Sequence, residues 1–198
     1  MPLPSKLYCP SCGIDVEPFA ITAGGEEIVH CSVCGLVLEL EPPKGQVEPE
    51  IKALKRVVIA EDSDTLRNLM VQVFKTKGLA EEVYGARNGV EFVQTVNQHY
   101  QNRQAVSLAV LDIEMPMMSG VQAALSLREM EKQFGLKKRT PILFFTSKKC
   151  DDRFKAILKQ LEPSSFVNKG ASGDPQELVQ RVYKVLRVLL QPKNQPQG

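Results

Sequence analysis

Short apolar runs recur along this chain, and each stops on a polar residue. Val57-Val58-Ile59-Ala60 ends at Glu61 and Asp62, and Leu108-Ala109-Val110-Leu111 ends at Asp112. Ile142-Leu143-Phe144-Phe145 ends at Thr146, and Phe166-Val167 leads through Asn168 to Lys169. Runs this short, apolar throughout and bounded by polar residues, read as strands buried on both faces, the pattern of parallel sheets covered by helices. Helical stretches fall between and after them at 63–77, 89–100, 120–134, 151–161 and 174–190. Alternating strands and helices joined by right-handed crossovers make a doubly wound α/β domain. Such sheets bind ligands at the carboxyl edge, where strand order reverses. Glu61, Asp62, Asp112, Thr146 and Lys169 all fall on that edge.

Their chemistry narrows the possibilities. Three carboxylates converging on one point repel one another unless a divalent cation is present, and hard oxygen ligands favour Mg2+. A lysine and a threonine facing the same point suit the oxygens of a phosphoryl group. The set points to magnesium-assisted phosphoryl transfer in which the protein supplies the nucleophile, with Asp112 as acceptor. Each residue alone has a plainer reading, since acids after strands often cap helices and Thr or Lys there is often only solvated. It is the five together that indicate chemistry.

The stretches Glu61-Asp62-Ser63, Asp112-Ile113-Glu114-Met115-Pro116 closed by Gly120, Phe145-Thr146-Ser147 and Phe166-Val167-Asn168-Lys169 occur in one order. With them, the segment 56–190 resembles the receiver domain of bacterial response regulators, the chemotaxis (CheY-like) type included. The resemblance implies a flavodoxin-like, five-stranded parallel sheet in the order 2-1-3-4-5. It implies that Asp112 takes a phosphoryl group from a histidine kinase, that Asp62 binds Mg2+ directly and Glu61 through water, and that the Glu114 backbone carbonyl completes the metal site. Thr146 and Lys169 would hold the phosphoryl oxygens. Thr146 and Phe166 match the pair that moves on activation, although core packing alone explains an aromatic residue at 166. The side chains of Glu114 and Lys148 would stand at the mouth of the site. The sequence departs from the family where Gly170 replaces the usual proline after the lysine, and where Glu61 replaces the commoner aspartate.

The amino-terminal segment is built differently. Cys9-x-x-Cys12 and Cys31-x-x-Cys34 are separated by 18 residues, a spacing typical of four-cysteine Zn2+ sites. Gly13 and Gly35 follow each pair and can take the positive φ that aims backbone N–H groups at sulfur. The segment resembles a zinc ribbon, with expected strands at 16–22, 27–29 and 36–40. A pair of disulfides or a redox dithiol are the alternatives. So small a unit needs a metal or cross-link to fold. Cys150 lies outside both pairs and reads as a free structural thiol; His30, which could replace a ligand, reads as a solvated side chain, and His99, at a polar helix end, suggests no role.

The resulting organisation is a zinc ribbon at 1–41, a proline- and charge-rich linker at 42–54, a receiver at 55–191 and a polar tail at 192–198. Residues 1–45 carry two basic against six acidic side chains, a balance of −4, which disfavours a phosphate backbone as partner. The remainder carries 23 basic against 17 acidic residues. Output is therefore expected through protein binding, by the ribbon or by the face that joins the helix at 151–161, the strand ending at Lys169 and the helix at 174–190. That last helix has more apolar residues than one buried stripe needs, which leaves room for a partner or a second copy. With no apolar stretch near the ~20 residues of a membrane span, and no signal-like start, a cytoplasmic protein is expected. No output enzyme is expected, beyond self-phosphorylation and self-dephosphorylation. A receiver-like scaffold that is never phosphorylated, and a nucleic-acid-binding ribbon, are the competing functions.

Overall fold

The computed structural model describes residues 3–23, 26–38, 51–171 and 175–191. The larger part of it is a five-stranded parallel sheet. Strand β5 (Leu54–Ala60) is followed by α1 (Asp64–Thr76), β6 (Ala80–Ala86), α2 (Gly89–Gln101) and β7 (Leu108–Leu111). Then come α3 (Gly120–Gln133), β8 (Ile142–Thr146), α4 (Asp152–Gln160), β9 (Ser164–Asn168) and α5 (Pro175–Leu190). The strand order β6-β5-β7-β8-β9 is the expected 2-1-3-4-5, and every neighbouring pair is parallel.

The period-two alternation of each strand divides the core. Val57, Ile59, Val110, Leu143, Phe145 and Val167 face one side with Met70, Phe74 and the apolar stripe of α5. Val58, Ala60, Ala109, Leu111, Phe144 and Phe166 face the other, against Phe92, Leu127 and Phe154. Four helices begin at capping side chains that satisfy first-turn N–H groups. Ser63 accepts from Leu66 N, Asn88 from Glu91 N, Ser119 from Gln122 N in a capping box, and Asp151 from Phe154 N. Residue 174, where the last helical stretch was expected to begin, lies outside the described residues.

Strand β6 does not belong to the apolar runs of the sequence. It is one edge of the sheet, and Glu81 is exposed while Ala80 and Ala86 are buried, so it lacks the continuous apolar signature of the inner strands β5, β7 and β8. The first strand also starts earlier than its apolar run, at Leu54, inside the span read as linker. Residues 42–50 of that linker and the tail at 192–198 lie outside the described residues. The Lys169–Gly170 bond is not cis, the cis peptide among the described residues being Glu162–Pro163.

The amino-terminal part forms two hairpins. β1 (Leu7–Cys9) pairs with β2 (Ile14–Val16), and β3 (Pro18–Ala23) pairs with β4 (Glu26–Cys31), both antiparallel. The expected strand at 16–22 is thus divided before Pro18, because β2 and β3 pair with different partners. The expected third strand is reduced to one bridge, between His30 and Val37, with 39–40 outside the described residues.

This segment does not have a core of its own. Cys9, Val16, Val29, Leu36 and Leu38 belong to the same buried cluster as Leu178, Val182, Val185, Leu186, Val188 and Leu189 of α5. The apolar excess of the last helix, read from the sequence as room for a partner or second copy, is buried within this chain.

Candidate functional site

Each of the five strand-end residues sits where its run predicted. Glu61 and Asp62 follow β5, Asp112 follows β7, Thr146 closes β8, and Lys169 follows β9 at the start of a short 3-10 turn, Lys169–Ala171. The topology brings them together because β5, β7, β8 and β9 are parallel neighbours whose carboxyl ends share one edge.

Lys169 is the centre of the arrangement. Its Nζ lies 2.9 Å from Asp112 Oδ2 and 2.5 Å from Glu61 Oε2, and 5.1 Å from the centre of the Phe145 ring. Glu61 is 2% exposed and Asp112 7%, while Asp62 faces solvent. Burial pushes the Glu61 carboxyl above its ordinary range, with the Lys169 ammonium acting against it. Carboxylate oxygens of Glu61, Asp62 and Asp112 all lie within 4.8 Å of one another. Cis ligands of an ion with bonds of 2.0–2.1 Å stand ~3 Å apart, so small side-chain shifts suffice for these three to share Mg2+.

The backbone around the acids is fixed by Arg67, which the sequence did not mark, and by Gly120, which it did. Arg67, buried on α1, donates from Nη1 to the Glu61 carbonyl at 2.8 Å and also reaches Asp62 O and the Asp64 carboxylate. Its place four residues into a helix whose other buried positions are apolar was the available signal. Gly120 is required where it stands, since a Cβ there would lie 1.9 Å from the Asp112 carbonyl oxygen. Its N–H donates to Ile113 O at 3.1 Å, closing the loop that carries Glu114. Thr146 is wholly buried, and its hydroxyl accepts the Lys148 N–H at 3.2 Å. Asn168 Nδ2 donates to Lys148 O at 2.9 Å, tying the loop after β8 to the end of β9. Phe166 is buried, with its ring edge-on to Phe154 at 5.4 Å.

The four cysteines form a second centre. Sγ of Cys9 is 3.7 Å from that of Cys34, and Cys12 is 4.0 Å from Cys31, with all four inside 4.8 Å. A tetrahedron with Zn–S bonds of ~2.3 Å has edges of ~3.8 Å, so the donor set fits Zn2+. All four are free thiols and not disulfides. Cys12 N–H points at Cys9 Sγ and Cys34 N–H at Cys31 Sγ, at 3.5 and 3.4 Å. Gly13 and Gly35 take φ of +72° and +77°, the turn this geometry needs. Shared hydrogen bonds among the sulfurs, led by that between Cys12 and Cys31, pull the Cys31 thiol down and push Cys12 up. His30 instead bonds Gly35 O through Nδ1 at 3.0 Å. His99 is buried against Tyr84 and Gln104. Burial raises the lone Cys150 thiol to about 11.

The amino-terminal segment touches the five-stranded domain next to the acidic site. Ser11, between the first two cysteines, accepts Asn168 N–H at 2.9 Å. Arg181 of α5, 2% exposed, donates to the carbonyls of Pro10 and Ser11. A four-thiolate zinc centre would carry −2, which this cation partly offsets. The one local sign of this contact in the sequence is a charged residue, Arg181, amid the apolar stripe of α5.

The family model for the response regulator receiver domain matches residues 57–183. Hybrid signal transduction histidine kinase G of Dictyostelium discoideum is 34% identical over 93 residues, 46% of this chain and 2% of that protein. The chain therefore spans only a small part of that relative's length. The receiver domain of the histidine kinase CKI1 from Arabidopsis thaliana, solved with Mg2+ and BeF3-, superposes with a TM-score of 0.55 at 22% identity, covering 67% of this chain and 90% of that one. The CheX-CheY-BeF3-Mg+2 complex from Borrelia burgdorferi gives 0.51 at 22%, covering 67% and 89%. These structures share the fold. No helix among the described residues is long and apolar enough to cross a membrane.

Proposed function

This chain belongs to the response regulator receiver domain family, and from that membership we propose that it is a phosphorylation-switched signalling protein of a two-component or chemotaxis-like system. Asp112 is the phosphoacceptor and a histidine kinase is the donor. The observation that carries this reading is the Lys169 ammonium, 2.9 Å from the Asp112 carboxylate inside a cluster of three acids.

In the transfer, an Asp112 carboxylate oxygen forms the new O–P bond as the donor's N–P bond breaks, and the electron pair leaves with the donor imidazole. Lys169 and the Thr146 hydroxyl neutralise the transferring oxygens. Glu61, Asp62, Asp112 and the Glu114 carbonyl are the groups that would hold Mg2+, which supplies further charge neutralisation when bound. Arg67 and Gly120 keep the acids and the Glu114 loop in register. The four cysteines hold one structural Zn2+. The chemistry of the described residues is limited to gaining and losing the phosphoryl group, and output passes by protein binding.

Incubation with a small phosphodonor and Mg2+ tests the reading by intact mass. An acid-labile gain of one phosphate that disappears with a chelator is expected. An unmodified mass under conditions that label a known receiver would leave the chain a receiver-shaped scaffold.

A further inference from the structure

Strand β9 is the last strand of its sheet, so the outward N–H and C=O groups of Phe166 and Asn168 have no strand to pair with. The ribbon takes that place. The Ser11 hydroxyl donates to the Phe166 carbonyl, and the Ser11 carbonyl accepts from Asn168 N–H at 2.9 Å. The same carbonyl accepts from Arg181 Nη2 at 3.2 Å, and Ser11 is completely buried. It is also flanked by Cys9 and Cys12, two of the four thiols.

Asn168 directly precedes Lys169, whose ammonium is held by Asp112 and Glu61. A continuous path therefore runs from the acidic site to the sulfur site: an ion pair from Asp112 to Lys169, one covalent step to Asn168, a hydrogen bond to Ser11, and then one residue to Cys12 or two, through Pro10, to Cys9. A phosphoryl group on Asp112 would add negative charge and new acceptor oxygens where Lys169 is now paired, and any backbone shift as Lys169 re-pairs passes directly to Asn168. The docked ribbon fits the arrangement that exists without the phosphoryl group.

We propose that the two centres are energetically coupled through Ser11, so that phosphorylation of Asp112 loosens the ribbon from β9 and weakens its hold on Zn2+. Linkage makes the effect reciprocal, so the metal-loaded, docked ribbon disfavours the phosphorylated state by the same factor. The ribbon is thus an internal occupant of the β9–α5 face, competing with any external partner for it. The inference rests on the reading of Asp112 as acceptor and of the four cysteines as zinc ligands.

Zinc affinity of the full chain, measured by competition with a chromophoric chelator, tests it with and without beryllofluoride in excess Mg2+. The coupling predicts an affinity lower by roughly fivefold or more when the phosphoryl mimic is bound. Ser11→Ala and Arg181→Met should each still bind one zinc but bring that ratio towards one. If either variant misfolds, the wild-type ratio decides alone. Zinc and mimic both bound with an unchanged affinity would overturn the coupling and leave the two site readings intact. A chain that takes up no zinc overturns the four-thiolate reading, and one whose amide exchange near Asp112 ignores beryllofluoride overturns the acceptor reading. In either case the coupling falls with it.

Discussion

Lys148 Nζ lies 3.4 Å from Glu114 Oε1, an ion pair that joins the loop after Asp112 to the loop after Thr146. The two side chains are 51% and 66% exposed, so the pair contributes only ~0–1 kcal/mol to stability. Its effect is expected in water access to a phosphoryl group on Asp112. Glu114→Ala and Lys148→Ala should each speed dephosphorylation, and the double mutant should be no faster than the faster single, as coupled residues behave. Phosphate-release rates that multiply, or do not move, would rule out a gate.

Lys169 now compensates two buried carboxylates, which defines what its loss does. Lys169→Met keeps the stem and removes the charge, leaving Glu61 and Asp112 to repel each other. Calorimetric titration should show Mg2+ binding several-fold tighter in the variant, while phosphodonor labelling falls at least about tenfold for want of the cation that neutralises the transferring oxygens. Weaker Mg2+ binding would mean that Lys169 does not compete for the acids.

Arg128 and Glu131 of α3 form a pair that is only 5% and 3% exposed, with N–O distances of 2.8 and 3.0 Å. Arg128 also donates to Leu161 O and Thr140 O, and Glu131 accepts Thr140 N–H. Burial pulls the Arg128 pKa down, and Glu131 opposes it. Glu131→Gln should therefore cost ~3–5 kcal/mol in denaturant unfolding, the range for stranding one buried charge. The folded fraction should still be labelled.

Metal removal should reach beyond the ribbon. Because Val16, Leu36 and Leu38 share a buried cluster with Leu186 and Leu189, stripping zinc should expose apolar surface of α5 and lower the melting temperature of the receiver. Elemental analysis should give one zinc per chain, and Cys9→Ser should lower both readings. A receiver transition unmoved by chelator would mean that the two parts are independent, as the proline-rich connector by itself suggests.

What the sequence disclosed follows from where each residue sits. The inner strands are buried on both faces, so Val57 to Ala60 and Leu108 to Leu111 appear as plain apolar runs, and the polar residue after each marks the functional edge. Strand β6 stayed hidden because an edge strand keeps residues such as Glu81 in solvent. β1 and β2 have three residues each, too few to show alternation. The docking of the ribbon was illegible because Ser11 and Asn168 are 157 positions apart and bond mainly through backbone, to which side-chain pattern is blind. Arg181 was the single local clue, a cation between Leu178 and Val185 on a face that is otherwise apolar.

The position of the phosphoryl group tests the account most directly. After reaction with a phosphodonor and Mg2+, borohydride trapping and peptide mapping should place the modification on Asp112 alone, and Asp112→Asn should abolish it. A map that places it on Asp62, Asp64 or any other residue, or labelling that survives Asp112→Asn, would contradict the assignment of this site.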